Sequence, residues 1–327
     1  MQPPAEQEPA KPRAPLSFWV RIGISVVLLA VLASNVPDLD GILPARHHAL
    51  TVALLLLAVA TTLVGVVLSA WRWQRVLAAF DAPVGLGTLT SHYLAGLFVG
   101  NVLPSTIGGD VLRVARCSTT TGSAEMSFAS VILERLTGFI ALPVLVFTGF
   151  LARPALLDEG RSWLALLIAG VTLGTLSVLL FLAGHPSIAG RFRDNENWTR
   201  FIGAVHEGVD HLRRRPRLSL GIVGTALVYQ SSVVLSVALL FRTLDLPVPL
   251  AGVVAYVPAV AMMQVLPLSI SGLGVREGML VLFLHPFGVS NGQAIAVGLL
   301  WYASTLVVSM IGAPAFAVGH RAKTRVQ

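Results

Sequence analysis

The chain has 327 residues, of which 55% are hydrophobic and only 12% charged, about half the charge of an ordinary soluble domain. So few charges cannot cover a soluble protein of this length, and several apolar runs reach the roughly 20 residues that span a bilayer as helix. The composition therefore predicts an all-α polytopic membrane protein. It excludes soluble enzymes, disulfide scaffolds (Cys117 is the single cysteine) and transmembrane barrels, which need strands of about ten alternating residues.

From the N-terminus, residues 1–15 are rich in Pro, Glu and Lys without apolar period and are expected to be a disordered cytoplasmic tail. Hydropathy predicts spanning helices at about 16–35, 50–70, 124–150, 161–184, 217–241 and 290–318. The first has a basic flank and a small-residue site at Val31-Leu32-Ala33, so a cleaved signal peptide competes with a retained span. Two further apolar stretches, about 87–117 and 249–288, are broken by Gly and Pro near their middles. Between the fourth and fifth of these spans, Trp198, Phe201, Ile202, Val205, Val209 and Leu212 follow helical spacing, with Asp194 and Asn195 as candidate caps and Arg213, Arg214 and Arg215 behind. That pattern suits either an interfacial helix on an anionic leaflet or a helix packed under the bundle. Residues 319–327 form a basic C-terminal tail.

The net charge of +7 reads as topology rather than as a nucleic-acid footprint. Most basic residues, among them Lys11, Arg72, Arg75, Arg113, Arg116, Arg214 and Lys323, sort to one side of the spans. Arg46, Arg153, Arg161 and Arg242 sort to the other. The positive-inside bias places both termini in the cytoplasm. Parity then requires 87–117 to enter and return from the cytoplasmic side, and 249–288 from the opposite side. Each is a re-entrant hairpin or a pair of short helices, tolerated only where protein or water surrounds it.

The two broken stretches resemble each other. Asn101-Val-Leu-Pro-Ser-Thr-Ile-Gly-Gly-Asp-Val-Leu-Arg113 and Gln264-Val-Leu-Pro-Leu-Ser-Ile-Ser-Gly-Leu-Gly-Val-Arg276 align without a gap and share Val, Leu, Pro, Ile, Gly and Arg. The offset is near half the chain, as a duplicated half predicts. Residues 16–150 and 151–318 are accordingly expected to be two inverted membrane repeats, an arrangement that points to a transport site near the midplane.

Arg113 and Arg276 follow the glycine breaks, where a short helix starts. Free N–H groups, the positive end of the helix dipole and a guanidinium fork together suit a phosphate. Pairing with Asp110 or Glu277 is the structural alternative. Glu134 and Arg135 lie about ten residues into a span, where a charge costs roughly 3 kcal/mol and turns towards the bundle interior or water. Glu134 can be a proton-coupling carboxylate or a partner for Arg113 or Arg276. His206 and His211 are five apart, which puts them on different helix faces and excludes the zinc-protease arrangement. His47, His48, His92 and His285 read as solvated. No Walker motif, nucleophile elbow or paired-cysteine site occurs, so neither enzyme chemistry nor a metal or other cofactor is expected.

The stretches Gly100–Arg113, Ile132-Leu-Glu-Arg-Leu-Thr137 and Gly272-Leu-Gly-Val-Arg-Glu-Gly278 resemble the lysylphosphatidylglycerol synthase transmembrane region, or flippase-like, family. The resemblance covers nearly the whole chain. It implies motif positions at Asn101, Pro104, Gly108, Gly109, Asp110, Arg113, Glu134, Arg135, Gly274, Arg276 and Glu277. It also implies lipid translocation, which the complete synthases combine with a cytosolic lysyl-transfer domain not expected here. Where the family pattern implies an arginine in the last span, this sequence has Trp301-Tyr302. The resulting expectation is a multi-pass protein of a bacterial-type inner membrane that flips an anionic phospholipid or a polyprenyl-phosphate-linked lipid. A partnership with a lipid-synthesis enzyme is the accompanying expectation; a lipid-modifying enzyme or a non-transporting partner is the alternative.

Overall fold

The structure is a computed structural model that describes residues 48–102, 108–184, 199–266 and 269–317, with isolated positions at 23, 27 and 30. The 16–35 span, both tails, Pro104 and the candidate caps Asp194 and Asn195 lie outside the described residues. The described residues form helices joined by short turns and loops, without strands.

Helix α1 (His48–Ala79) is followed by α2 (Leu86–Val102), α3 (Gly108–Thr121) and α4 (Ala124–Ala152). Beyond a short 3-10 turn come α5 (Ser162–Gly184), α6 (Thr199–Arg214) and α7 (Pro216–Thr243). Then follow α8 (Leu250–Gln264), α9 (Val275–Leu284) and α10 (Asn291–Met310). Five of these, α1, α4, α5, α7 and α10, are long and apolar enough to cross a membrane. The chain is thus an all-α polytopic membrane protein, and each broken stretch is a pair of short helices.

Local chemistry sets the ends. Ser123 caps α4, its Oγ accepting from the Met126 amide at 3.1 Å. Ser290 and Gln293 cap α10 reciprocally. In the second broken stretch Ser271, Gly272 and Gly274 take positive φ of 52°, 73° and 84°, a run that turns the chain between α8 and α9 and that glycine accepts readily at two of its three positions.

The main apolar core gathers α4, α5, α7, α8, α9 and α10, including Tyr256, Phe283, Leu280 and Leu284. Tyr256 stacks on Phe283 at 5.1 Å, and its hydroxyl meets Ser162 Oγ at 2.8 Å. Helix α6 packs under the bundle: Val209 sits with Val76, Leu133 and Ile222, and Gly208 lies against Leu133 and Phe80. Packing against the bundle is thus observed for this segment at Gly208 and Val209. Two expectations are corrected. Helix α1 continues to Ala79, nine residues beyond the predicted end, so Arg72 lies inside it at 3% exposure rather than on a basic flank. His92, read as solvated, has both ring nitrogens buried without a hydrogen-bond partner among the described residues.

Candidate functional site

The first broken stretch is built on a close approach of backbones. A Cβ on Gly96 of α2 would lie 2.8 Å from the Gly109 carbonyl and 2.7 Å from Arg113 Cγ, and Gly100 also faces Gly109. Small residues at this spacing let two membrane helices touch. The contact brings Arg113 of α3 over the faces of Trp73 and Tyr93, at 4.3 and 4.4 Å.

Arg113 then reaches α4, where its Nη2 donates to Glu134 Oε2 at 3.1 Å. The other carboxylate oxygen, Oε1, accepts from Arg72 of α1 and from Ser69 Oγ at 3.0 Å. Glu134 thus holds two guanidiniums from two other helices while only 1% exposed. Arg72 also lies over the Tyr229 ring of α7, at 4.9 Å. Asp110 accepts from Arg113 at 3.4 Å and pairs with Arg135 at 2.5 Å. Glu134 and Arg135, about 100° apart on the helix, therefore join different partners, as their spacing requires. Arg135 keeps 43% of its side chain exposed.

The second arginine is neutralised locally. Arg276 donates to Glu277 Oε1 from Nε and Nη2, at 3.1 and 2.6 Å. The remaining oxygen of Glu277 accepts from the Gly274 amide at 2.6 Å and so caps α9. Trp301 and Tyr302 of α10, where the family pattern implies an arginine, present rings 5.8 and 5.2 Å from the Arg276 guanidinium.

Glycines make room for these charges. A Cβ at Gly138 would stand 2.7 Å from Arg72 Nη1, and one at Gly298 2.8 Å from Glu277 Cγ.

Two adjoining cavities open on this network. One, of about 310 Å³, lies where the broken stretches meet: Asn101, Asp110 and Arg113 come from the first, Gln264, Ser271 and Arg276 from the second. The other, of about 320 Å³, continues between α1, α4 and α7 past Arg72, Glu134, Tyr229, Gln230 and Ser236. Arg113 and Arg135 line both. Each is of the size of a small-ligand site. Four arginines (72, 113, 135 and 276) face three carboxylates (110, 134 and 277), leaving one positive charge in excess.

Of the residues singled out from sequence, Asn101, Gly109, Asp110, Arg113, Glu134, Arg135 and Arg276 line the cavities. Gly108 and Gly274 begin the short helices, and Glu277 lies behind Arg276, fully buried. Sequence reasoning missed Arg72, Ser69, Tyr93 and Tyr229. For Arg72 a signal existed: Trp71 and Trp73 continue the apolar helix on both sides of it.

A profile of the lysylphosphatidylglycerol synthase TM region matches residues 18–312. A UPF0104 membrane protein of Methanothermobacter thermautotrophicus is 27% identical over 289 residues, 78% of this chain and 84% of that protein. A UPF0104 membrane protein of Pyrococcus horikoshii is 25% identical over 278 residues, 75% and 81% of the two chains. The profile runs through both broken stretches and the ionic network between them, and the chain belongs to the lysylphosphatidylglycerol synthase TM region family.

Proposed function

We propose that this protein translocates an anionic phospholipid or a polyprenyl-phosphate-linked lipid across a bacterial-type inner membrane, with both termini cytoplasmic, and that it acts as a conduit rather than an enzyme. The observation that carries this reading is the half-exposed Arg135 in a cavity to which both broken stretches contribute. Three carboxylates face four arginines, and Arg135, paired with Asp110 yet half-exposed, is where the network presents its surplus positive charge to a phosphodiester. Arg113 and Arg276 flank that position from opposite stretches. Inverted repeats starting on opposite faces would let the two halves expose the cavity alternately.

The test is translocation of acyl-labelled phosphatidylglycerol by the full chain in vesicles, read by leaflet-selective quenching. Arg135→Gln is expected to slow it at least tenfold while the detergent-solubilised protein melts within a few degrees of the original. Unchanged translocation in a folded variant would remove Arg135 and the anion site from the mechanism.

A further inference from the structure

We infer that the cargo's head group is a phosphate bearing a polyol, glycerol or sugar, and no ammonium group; this rests on the translocation reading above. Every oxygen of the two carboxylates that line the cavities already has a guanidinium partner. Glu134 Oε1 accepts from Arg72 and Ser69, and Oε2 from Arg113. Asp110 Oδ1 meets Arg113 and Oδ2 meets Arg135. An ammonium entering here would have to share a carboxylate that an arginine already holds, inside a site that already carries excess positive charge. A like charge without a partner is repelled in such a setting.

Beyond the ionic end, the larger cavity changes character. Along the seam of α1 and α7 its wall carries Thr62, Gln230, Ser232 and Ser236. Ser232 donates to the Tyr229 carbonyl at 2.6 Å; Thr62 and Ser236 each lie 2.9 Å from the Ala58 carbonyl and 2.9 Å from each other, so one of the pair donates to the carbonyl and the other to its neighbour's oxygen. A hydroxyl whose proton is committed to a carbonyl turns lone pairs to its surroundings, and these accept from O–H donors. Arg72 beside Tyr229 marks one end of the seam, and Thr62 beside Ser236 the other. Ten residues of α1 separate them, about 15 Å of helix. A phosphate held at Arg135 would place an attached polyol along this row of acceptors.

The discriminating experiment compares head groups in vesicles holding the full chain. The probes are phosphatidylglycerol, a glycosyl-phosphate polyprenol, phosphatidylmethanol (the same charge without hydroxyls) and an aminoacylated phosphatidylglycerol. Either or both of the first two should move about tenfold faster than the last two, and which of them does identifies the polyol. The double variant Gln230→Leu, Ser232→Ala should reduce that lipid to the phosphatidylmethanol rate and leave phosphatidylmethanol unchanged. Melting of the detergent-solubilised chain with the same lipids reads the preference without translocation. If no lipid moves, the translocation reading falls while the melting shifts still decide the head group. Equal behaviour of phosphatidylglycerol and phosphatidylmethanol in both measurements, an aminoacylated lipid handled as well as the anionic one, or an undiminished preference in the double variant would overturn the inference.

Discussion

Glu134 is the residue on which the first arginine site depends. It balances Arg72 and Arg113 from two different helices and is almost completely buried. Removing one partner of a buried pair costs about 3–5 kcal/mol, because the charge left behind has no solvent. Glu134→Gln keeps the shape and loses the charge, so it should lower the melting temperature sharply and broaden the size-exclusion profile. A variant that melts normally yet loses dependence of transport on a proton gradient would instead make Glu134 a proton carrier. Sequence made half of this pairing visible. A carboxylate in mid-span demands a cation, and the repeated motif pointed to Arg113. Arg72 stayed hidden, because counting basic residues treats any arginine near a span end as a flank. Its partner is 62 positions away, and no local pattern encodes that distance.

The short helices α3 and α9 each begin within one of the two similar stretches that end at Arg113 and Arg276, yet different forces hold them. Only Gly109, Arg113 and Cys117 of α3 are buried, and Arg116 ties it to the Ala315 and Phe316 carbonyls at 2.9 Å. Helix α9 instead buries Leu280, Phe283 and Leu284 in the main core, each such side chain contributing about 1.5–3 kcal/mol. Glycine substitutions should separate the two. Gly109→Ala drives a methyl into the Gly96 backbone, and overpacking of this kind costs about 1–3 kcal/mol. Gly278→Ala meets nothing within 4 Å and should be neutral or gain up to about 1 kcal/mol from helix propensity. Melting of both variants in detergent checks this; equal losses would mean that the α2–α3 contact is not a tight one. The breaks themselves were legible as Gly and Pro interruptions in apolar runs. The contrast in anchoring was not, since it depends on which neighbours each helix meets.

At the scale of the whole chain, the spans were the most legible feature, because about 20 apolar residues in a row have few other uses. Parity puts the loops around Asp158 and Asp245 on one face and Arg214 on the other. All three positions are exposed, so cysteines there report sidedness without disturbing the core. Single cysteines at 158 and 245 should react with an impermeant maleimide in intact cells, and one at 214 only after permeabilisation. Labelling of residue 214 from outside would invert the orientation and the assignment of both termini. The cavities were the least legible feature. The aromatic walls from Tyr93 and Tyr229 come from two helices, and each residue alone reads as ordinary apolar filling.

The recesses beneath the buried charges also bear on how far this site could be moved to another protein. Gly138 leaves the space that Arg72 fills, Gly96 the space for the Arg113 stem, and Gly298 the space for Glu277. The charged side chains are therefore only half of the specification; the other half is three missing methyl groups on the helices opposite. Grafting the arginines and carboxylates alone onto an ordinary alanine- or leucine-lined bundle would set each of these side chains against a carbon atom where it has to lie. The lodgings would have to travel with the lodgers.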